Sequence, residues 1–307
     1  MHAALDRRKF LRACQAGVVA GIAAGASGTT PLGRCTAAEP IQRTGTAKFK
    51  LSLAAYSYRS LLDSKSSGFT LFDFADDCAK MQLDGTELTS YYFPADVQPE
   101  YLRKLKAHCF RLGLDVSGTA VGNDFGHPDG PQRQQQIASL KKWIDHAEVL
   151  GAPTIRIFAG HVKKGVTPDE AHRLMVSAME ECCAYAGERG IYLGLENHGG
   201  PTDTAAGLLK LVRDVQSPWL GVNVDTGNFH SNDVYADIAQ IAPYAVNVQV
   251  KVVVRRGDKQ EPMDFGRLAK ILREVGYRGY VVLEYEEKDD PREACPRYMD
   301  KIRAAFA

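Results

Sequence analysis

Four polar side chains in the C-terminal half of the chain are spaced so that they can act together: Glu196, Asp225, Gln249 and Glu284. Each falls late in a short apolar run whose residues alternate in polarity. Leu193 and Leu195 oppose Gly194 and Glu196; Val222 and Val224 oppose Asn223 and Asp225. Val246, Val248 and Val250 oppose Asn247, Gln249 and Lys251, and Val281 and Leu283 oppose Val282 and Glu284. Period-two alternation is the signature of a strand with two unlike faces. The polar parity therefore brings three carboxylates and a carboxamide toward one place. Gathering carboxylates away from water is costly unless a cation neutralises them or they share protons. Oxygen-rich ligation of this kind suits Mn²⁺ or Mg²⁺ better than a thiolate-selecting metal. The plainer alternative is that each carboxylate ends a strand and pairs with an arginine or a helix N-terminus.

These runs belong to a longer series. Leu51–Tyr58, Leu83–Thr89, Leu114–Val121, Thr154–Phe158, Ile191–Glu196, Leu220–Asp225, Ala245–Val250 and Tyr280–Tyr285 read as strands. Their spacing is near that of a strand–helix–strand unit, roughly 30 residues. Helical stripes lie between them: Leu174, Met175, Ala178, Met179, Cys182 and Ala186; Leu208, Leu209, Val212 and Val215; Leu268, Ile271 and Leu272. Pro131, Pro168 and Pro291 sit where a first helical turn tolerates proline. This alternation predicts an α/β chain folded as a single-domain (β/α)8 TIM barrel over residues 49–307. A doubly wound open sheet would carry a glycine-rich turn after its first strand, and Tyr56-Ser57-Tyr58-Arg59 is not one. In a barrel, the C-terminal strand ends build the active site.

The segments Leu193-Gly194-Leu195-Glu196-Asn197-His198, Val222-Asn223-Val224-Asp225-Thr226-Gly227-Asn228, Val248-Gln249-Val250-Lys251 and Leu283-Glu284 resemble the xylose-isomerase-like TIM barrels. That superfamily includes ketose 3-epimerases, hydroxypyruvate and inosose-type isomerases and dehydratases, and apurinic endonucleases. The resemblance covers roughly residues 50–305. It implies metal ligation by Glu196, Asp225, Gln249 and Glu284, with Mn²⁺ the expected ion and Mg²⁺, Co²⁺ or Zn²⁺ as alternatives. The chain departs from the pattern at Gln249, where the sugar epimerases carry histidine; His198 and His230 are nearby candidates to compensate. The resemblance further implies isomerisation or epimerisation of a ketose through an enediolate, with Glu196 and Glu284 as the acid–base pair. Glu87, Arg156, His198, His230, Lys251 and Arg255 are candidates for substrate binding. Arg156 has the alternative of pairing with Glu87 or Glu196, and Lys251 that of neutralising the carboxylates. Tyr56, Tyr58, Tyr91, Tyr92 and Phe158 are candidate stacking partners for a sugar ring, with core packing as the alternative. His161, Asn123 and His127 fall in loops after strands.

Composition narrows the remaining classes. The 307 residues are 45% apolar and 24% charged, which excludes a disordered or multi-span membrane chain. The formal charge is +1, but Arg7, Arg8, Lys9, Arg12 and Arg34 oppose Asp6 alone in the first 38 residues, so the remainder is mildly acidic. An acidic body argues against a nucleic-acid partner. Residues 1–38 resemble a twin-arginine export signal: Arg7-Arg8-Lys9-Phe10-Leu11-Arg12, then an Ala/Gly-rich stretch too short to span a bilayer. Residues 39–48 read as a linker. The expectation is an exported, periplasmic enzyme of small carbohydrates, without a stable membrane span after signal removal and open to homo-oligomerisation. A lyase of 3-keto-glycosides and a non-catalytic sugar-binding barrel are the competing readings. Of the seven cysteines, none forms a C-x-x-C pair, and Cys182 reads as a small buried hydrophobe.

Overall fold

The computed structural model describes residues 38–63, 68–257 and 259–307. The proposed export signal lies outside the described residues, apart from Ala38. Eight parallel strands close into a barrel. In chain order these are β1 (Lys48–Ala54), β2 (Gly85–Thr89), β3 (Asp115–Ala120), β4 (Thr154–Ile157), β5 (Tyr192–Glu196), β6 (Leu220–Asp225) and β7 (Ala245–Val250). The two-stranded antiparallel ribbon β8 (Val253–Arg256) and β9 (Lys259–Pro262) follows. The last barrel strand, β10 (Arg278–Leu283), pairs with both β1 and β7 and completes the closure.

A helix follows each barrel strand: α1 (Leu71–Lys80), α2 (Pro99–Arg111), α3 (Pro131–Leu150), α4 (Pro168–Gly187), α5 (Ala205–Asp214), α6 (Val234–Ile241), α7 (Phe265–Glu274) and α8 (Pro291–Phe306). Six of these eight starts are capped by short polar side chains. Thr70, Thr167, Thr204, Asp233, Asp264 and Asp290 each accept a backbone N–H of the first turn. Such caps typically contribute about 1 kcal/mol apiece. None of the described helices is long and apolar enough to cross a membrane.

The core lies between sheet and helices. Leu193, Leu195, Val222, Val224, Val248, Val250, Val281 and Leu283 point outward from the strands and are fully buried. They meet the stripes of α4, α5 and α7, where Met175, Met179, Cys182, Leu208, Val212 and Leu272 are equally buried. Cys182 is a free thiol in this layer, and burial pushes its pKa up to about 12. Residues 39–47 carry no helix or strand, yet the segment is tied to the barrel: Ile41 N–H bonds the Pro243 carbonyl at 3.0 Å, and Arg43 donates to the Ala245 carbonyl at 2.6 Å.

Two local departures from the sequence pattern bear on the site. The first strand starts earlier and ends at Ala54; Ala55–Tyr58 form a 3₁₀ turn instead. The cause is long-range: Ser57 Oγ donates to the Leu283 carbonyl at 3.2 Å and accepts Tyr285 N–H at 2.9 Å, which fixes the turn against the end of β10. The β8–β9 ribbon occupies what the sequence pattern leaves as a loop after the seventh strand. Gly257 at φ +57° supplies the backbone freedom its turn requires.

Candidate active site

Two polar layers fill the C-terminal half of the barrel. The lower one is a closed network. Gln249 Nε2 donates to Glu87 Oε1 at 2.6 Å, and Asn247 Nδ2 donates to Glu87 Oε2 at 2.7 Å. Asn247 Nδ2 also lies 2.8 Å from Asn223 Oδ1, and Asn223 Nδ2 donates to Gln249 Oε1 at 2.6 Å. All four side chains are buried. Burial and the nearby Glu284 charge push the Glu87 carboxyl up to about 7, against the opposing pull of its amide donors.

The upper layer holds the charges. Glu196 and Asp225 end β5 and β6, Lys251 follows β7 and Glu284 follows β10. Lys251 Nζ stands at their meeting point. It is 3.1 Å from Asp225 Oδ2 and 2.9 Å from Glu286 Oε1, and it donates a hydrogen bond to Glu284 Oε2. Glu196 takes a separate cation, with Arg156 Nε 3.0 Å from Oε2, while Asn228 Nδ2 donates to Oε1 at 2.9 Å. Asp225 is braced through its backbone, which exchanges two hydrogen bonds with the Asn197 carboxamide, and its Oδ1 accepts Gly227 N–H at 2.8 Å.

The carboxyls are pushed apart in proton affinity. Burial raises Glu196 well above the usual carboxylate range; Arg156 opposes this, and the Asp225 and Glu284 charges add to it. Burial also raises Asp225, to about 6, although Lys251 pulls the other way. Burial acts on Glu284 too, but Lys251 and Arg156 more than offset it and hold this carboxyl below its ordinary value. Burial alone would lower Lys251, yet Asp225, Glu284 and Glu286 raise it far above, so the group is a fixed ammonium.

Above this layer two cavities adjoin, both bordered by Lys251, Asn228 and Glu286. The inner one, about 190 Å³, is reached by Glu196, Glu284, Arg156, Tyr56, Tyr91, Phe158 and His198. Phe158 carries the Arg156 guanidinium 4.1 Å from its ring centre and the tilted His198 ring at 4.3 Å. The outer cavity, about 310 Å³, is bordered by His230, Arg255 and Gln260.

The structure thus gathers most of the expected residues and reassigns others. Glu87 borders neither cavity; its role is in the lower network, because both of its oxygens are taken there. Tyr58 belongs to the core and Tyr92 borders neither cavity. Asn123 clamps Phe158 by two backbone hydrogen bonds. His161 borders a different cavity, which His172 also borders. Sequence reasoning missed Glu286 and Asn228. Glu286 is on the same parity as Glu284, and Asn228 closes the Asp225-Thr226-Gly227-Asn228 segment, so both carried a signal.

The expected metal set is where structure and expectation part. A divalent ion needs several oxygens converging on a space of its own. Here an ammonium stands in that space, and both ends of the Gln249 carboxamide are committed to Glu87 and Asn223. Among the described residues no group of three or more His, Cys, Asp or Glu side chains is placed to hold a metal ion. As arranged, these residues do not fit a divalent ion.

The barrel, with its polar groups at the C-terminal strand ends, defines the class to which the chain belongs. A family model of the xylose isomerase-like TIM barrel matches residues 65–304. The chain is a member of that family. Among solved structures it is similar to D-psicose 3-epimerase from Clostridium cellulolyticum H10, with 15% identity and a TM-score of 0.70, covering 84% of this chain and 99% of that one. It is also similar to 3-keto-D-glucoside 4-epimerase from E. coli, with 16% identity and a TM-score of 0.68, covering 84% of this chain and all of that one. At these identities the likeness is one of fold. A Homo sapiens protein named "putative hydroxypyruvate isomerase" is 27% identical over 232 residues, 67% of this chain and 81% of its own length.

Proposed function

We propose that the protein is an isomerase or epimerase of a small polyhydroxylated carbonyl compound, working by proton transfer at the carbon next to the carbonyl. The observation that carries this is the pair Glu196 and Glu284 facing one small cavity, flanked by the cations Arg156 and Lys251. Glu284, held ionised, takes the proton from carbon, and the C–H electron pair moves through the new C–C double bond onto the carbonyl oxygen. Glu196, held toward its protonated form, returns a proton to carbon. Return from the opposite face gives the epimer; return to the neighbouring carbon, with the hydroxyl proton relayed, gives the isomer. Acid–base help of this kind is worth roughly 10²–10⁴-fold. The oxyanion that develops also needs a fixed positive group facing it.

The names of the structural neighbours and of the human relative support this reaction class. Hydroxypyruvate and free ketoses are the first compounds to test, in deuterated buffer. Incorporation of one deuterium at the carbon next to the carbonyl is the expected result; a full screen without exchange refutes the reading. The outer cavity favours a second reading, a 3-keto-glycoside whose aglycone lies beside His230 and Arg255. Exchange with the aglycone retained marks an epimerase, and aglycone release marks a lyase. We further propose export by the twin-arginine route, with recovery in the periplasmic fraction and retention in the cytoplasm of a double Arg7→Lys, Arg8→Lys variant as the test.

A further inference from the structure

We propose that Lys251 fills the cation position of this site permanently, so that its ammonium, and not a divalent ion, is the electrophile facing the substrate oxyanion. Three observations independent of any metal carry this. The ammonium contacts three carboxylates from two directions, Asp225 at 3.1 Å, Glu286 at 2.9 Å and Glu284 by a hydrogen bond. Its stem is built into place: a Cβ on Gly227 would stand 2.5 Å from Lys251 Cγ and 2.9 Å from its Cβ, so only glycine leaves it passage. Its backbone N–H is held by Thr226 Oγ1 at 2.9 Å. Meanwhile Gln249, the residue expected as a further ligand, is bonded into the lower network at both ends of its carboxamide, accepting from Asn223 at 2.6 Å and donating to Glu87 at 2.6 Å. A primary ammonium offers three N–H donors. The three carboxylates hold it at the rim of the inner cavity, where a substrate carbonyl oxygen can reach it in exchange for the half-exposed Glu286.

The word electrophile rests on the isomerase reading above; the filling of the cation position does not. The test is therefore a binding one. Full-length protein purified without chelator is expected to hold substoichiometric metal and to melt at the same temperature with Mn²⁺, with EDTA and with neither. Lys251→Arg, which keeps a cation, is expected to behave likewise. Lys251→Ala vacates a space edged by Asp225 and Glu284, and its melting temperature is expected to rise saturably with Mn²⁺. If that variant fails to fold in plain buffer, refolding with Mn²⁺ and not without it supports the proposal equally. Stoichiometric Mn²⁺ on the wild type with a lower melting temperature in EDTA overturns the proposal. So does a Lys251→Ala protein that Mn²⁺ neither stabilises nor refolds. Once an exchanging substrate is found, Lys251→Ala without metal is expected to lose about 10²–10³-fold in exchange rate, the usual effect of removing one oxyanion donor. A screen with no exchanging substrate refutes the isomerase reading and leaves the metal-binding result standing.

Discussion

Gly227→Ala tests the site at its narrowest point. The new methyl would lie 2.5 Å from Lys251 Cγ and 2.9 Å from its Cβ, with the Val253 carbonyl 3.3 Å away on the other side. Carbon atoms rest about 3.5–4.0 Å apart, so the lysine stem must retreat by about 1 Å. It cannot do so by swinging a free end, because its Cβ is among the clashing atoms and its N–H is bonded to Thr226. Overpacking of this sort costs about 1–3 kcal/mol. In a domain of this size each kcal/mol lowers the melting temperature by roughly 2–4 °C. The same displacement moves the ammonium relative to Glu284 and the cavity, and a misplacement of about 1 Å is enough for a 10²-fold loss of rate. Thermal melts and solvent-deuterium exchange read the two effects. Lys251→Ala removes the closer clash, so in a double-mutant cycle the stability cost of the methyl should shrink by at least about 0.5 kcal/mol. A Gly227→Ala protein with unchanged melting temperature and unchanged exchange would refute the packing argument and, with it, the claim that the lysine is built into place.

Other outcomes follow from the same geometry. Glu196→Gln is expected to retain its far-UV circular dichroism and lose about 10²–10⁴-fold in epimer or isomer formation, since the amide cannot return a proton, while exchange of the carbon-bound proton through Glu284 persists. Glu87 is pushed from 4.5 up to about 7, so the native state binds this proton more tightly than the unfolded chain; its contribution is complete below about pH 4.5 and is lost as pH rises to about 7. At about 1.4 kcal/mol per tenfold change in proton affinity this amounts to about 3 kcal/mol, and denaturant titrations of Glu87→Gln should show a flatter pH dependence over that window. Gly126→Ala would put a methyl 1.9 Å from the His161 carbonyl oxygen, a backbone atom; the loops after β3 and β4 should separate at a cost of about 3 kcal/mol, visible as a lower urea midpoint.

How far the sequence led can be judged from single residues. Leu220–Asp225 and Ala245–Val250 are strands with the expected bounds, because their valines alternate cleanly and their ends carry polar residues. The first strand ends before its apolar pattern does, because Ala54-Ala55-Tyr56-Ser57 has no local signal to stop it; the stop comes from Leu283 and Tyr285, over two hundred residues later. The ribbon after β7 carries no signal in the sequence because only Val254 of its eight residues is buried, too little to make an alternating core face.

The order of strands and helices, and the inward parity of Glu196, Asp225, Gln249 and Glu284, were determined by the sequence alone, since backbone periodicity is local and period two leaves only two faces. Which partner each inward group takes was decided by the closed barrel. Gln249 turns to Glu87 of β2 on the far side of the ring, and Lys251 passes over Gly227 to reach Glu284. A long side chain at a strand end samples many directions, and the choice among them falls to charge compensation and to the space its neighbours leave. No spacing along the chain encodes those two conditions, which exist only once the eight strands have met.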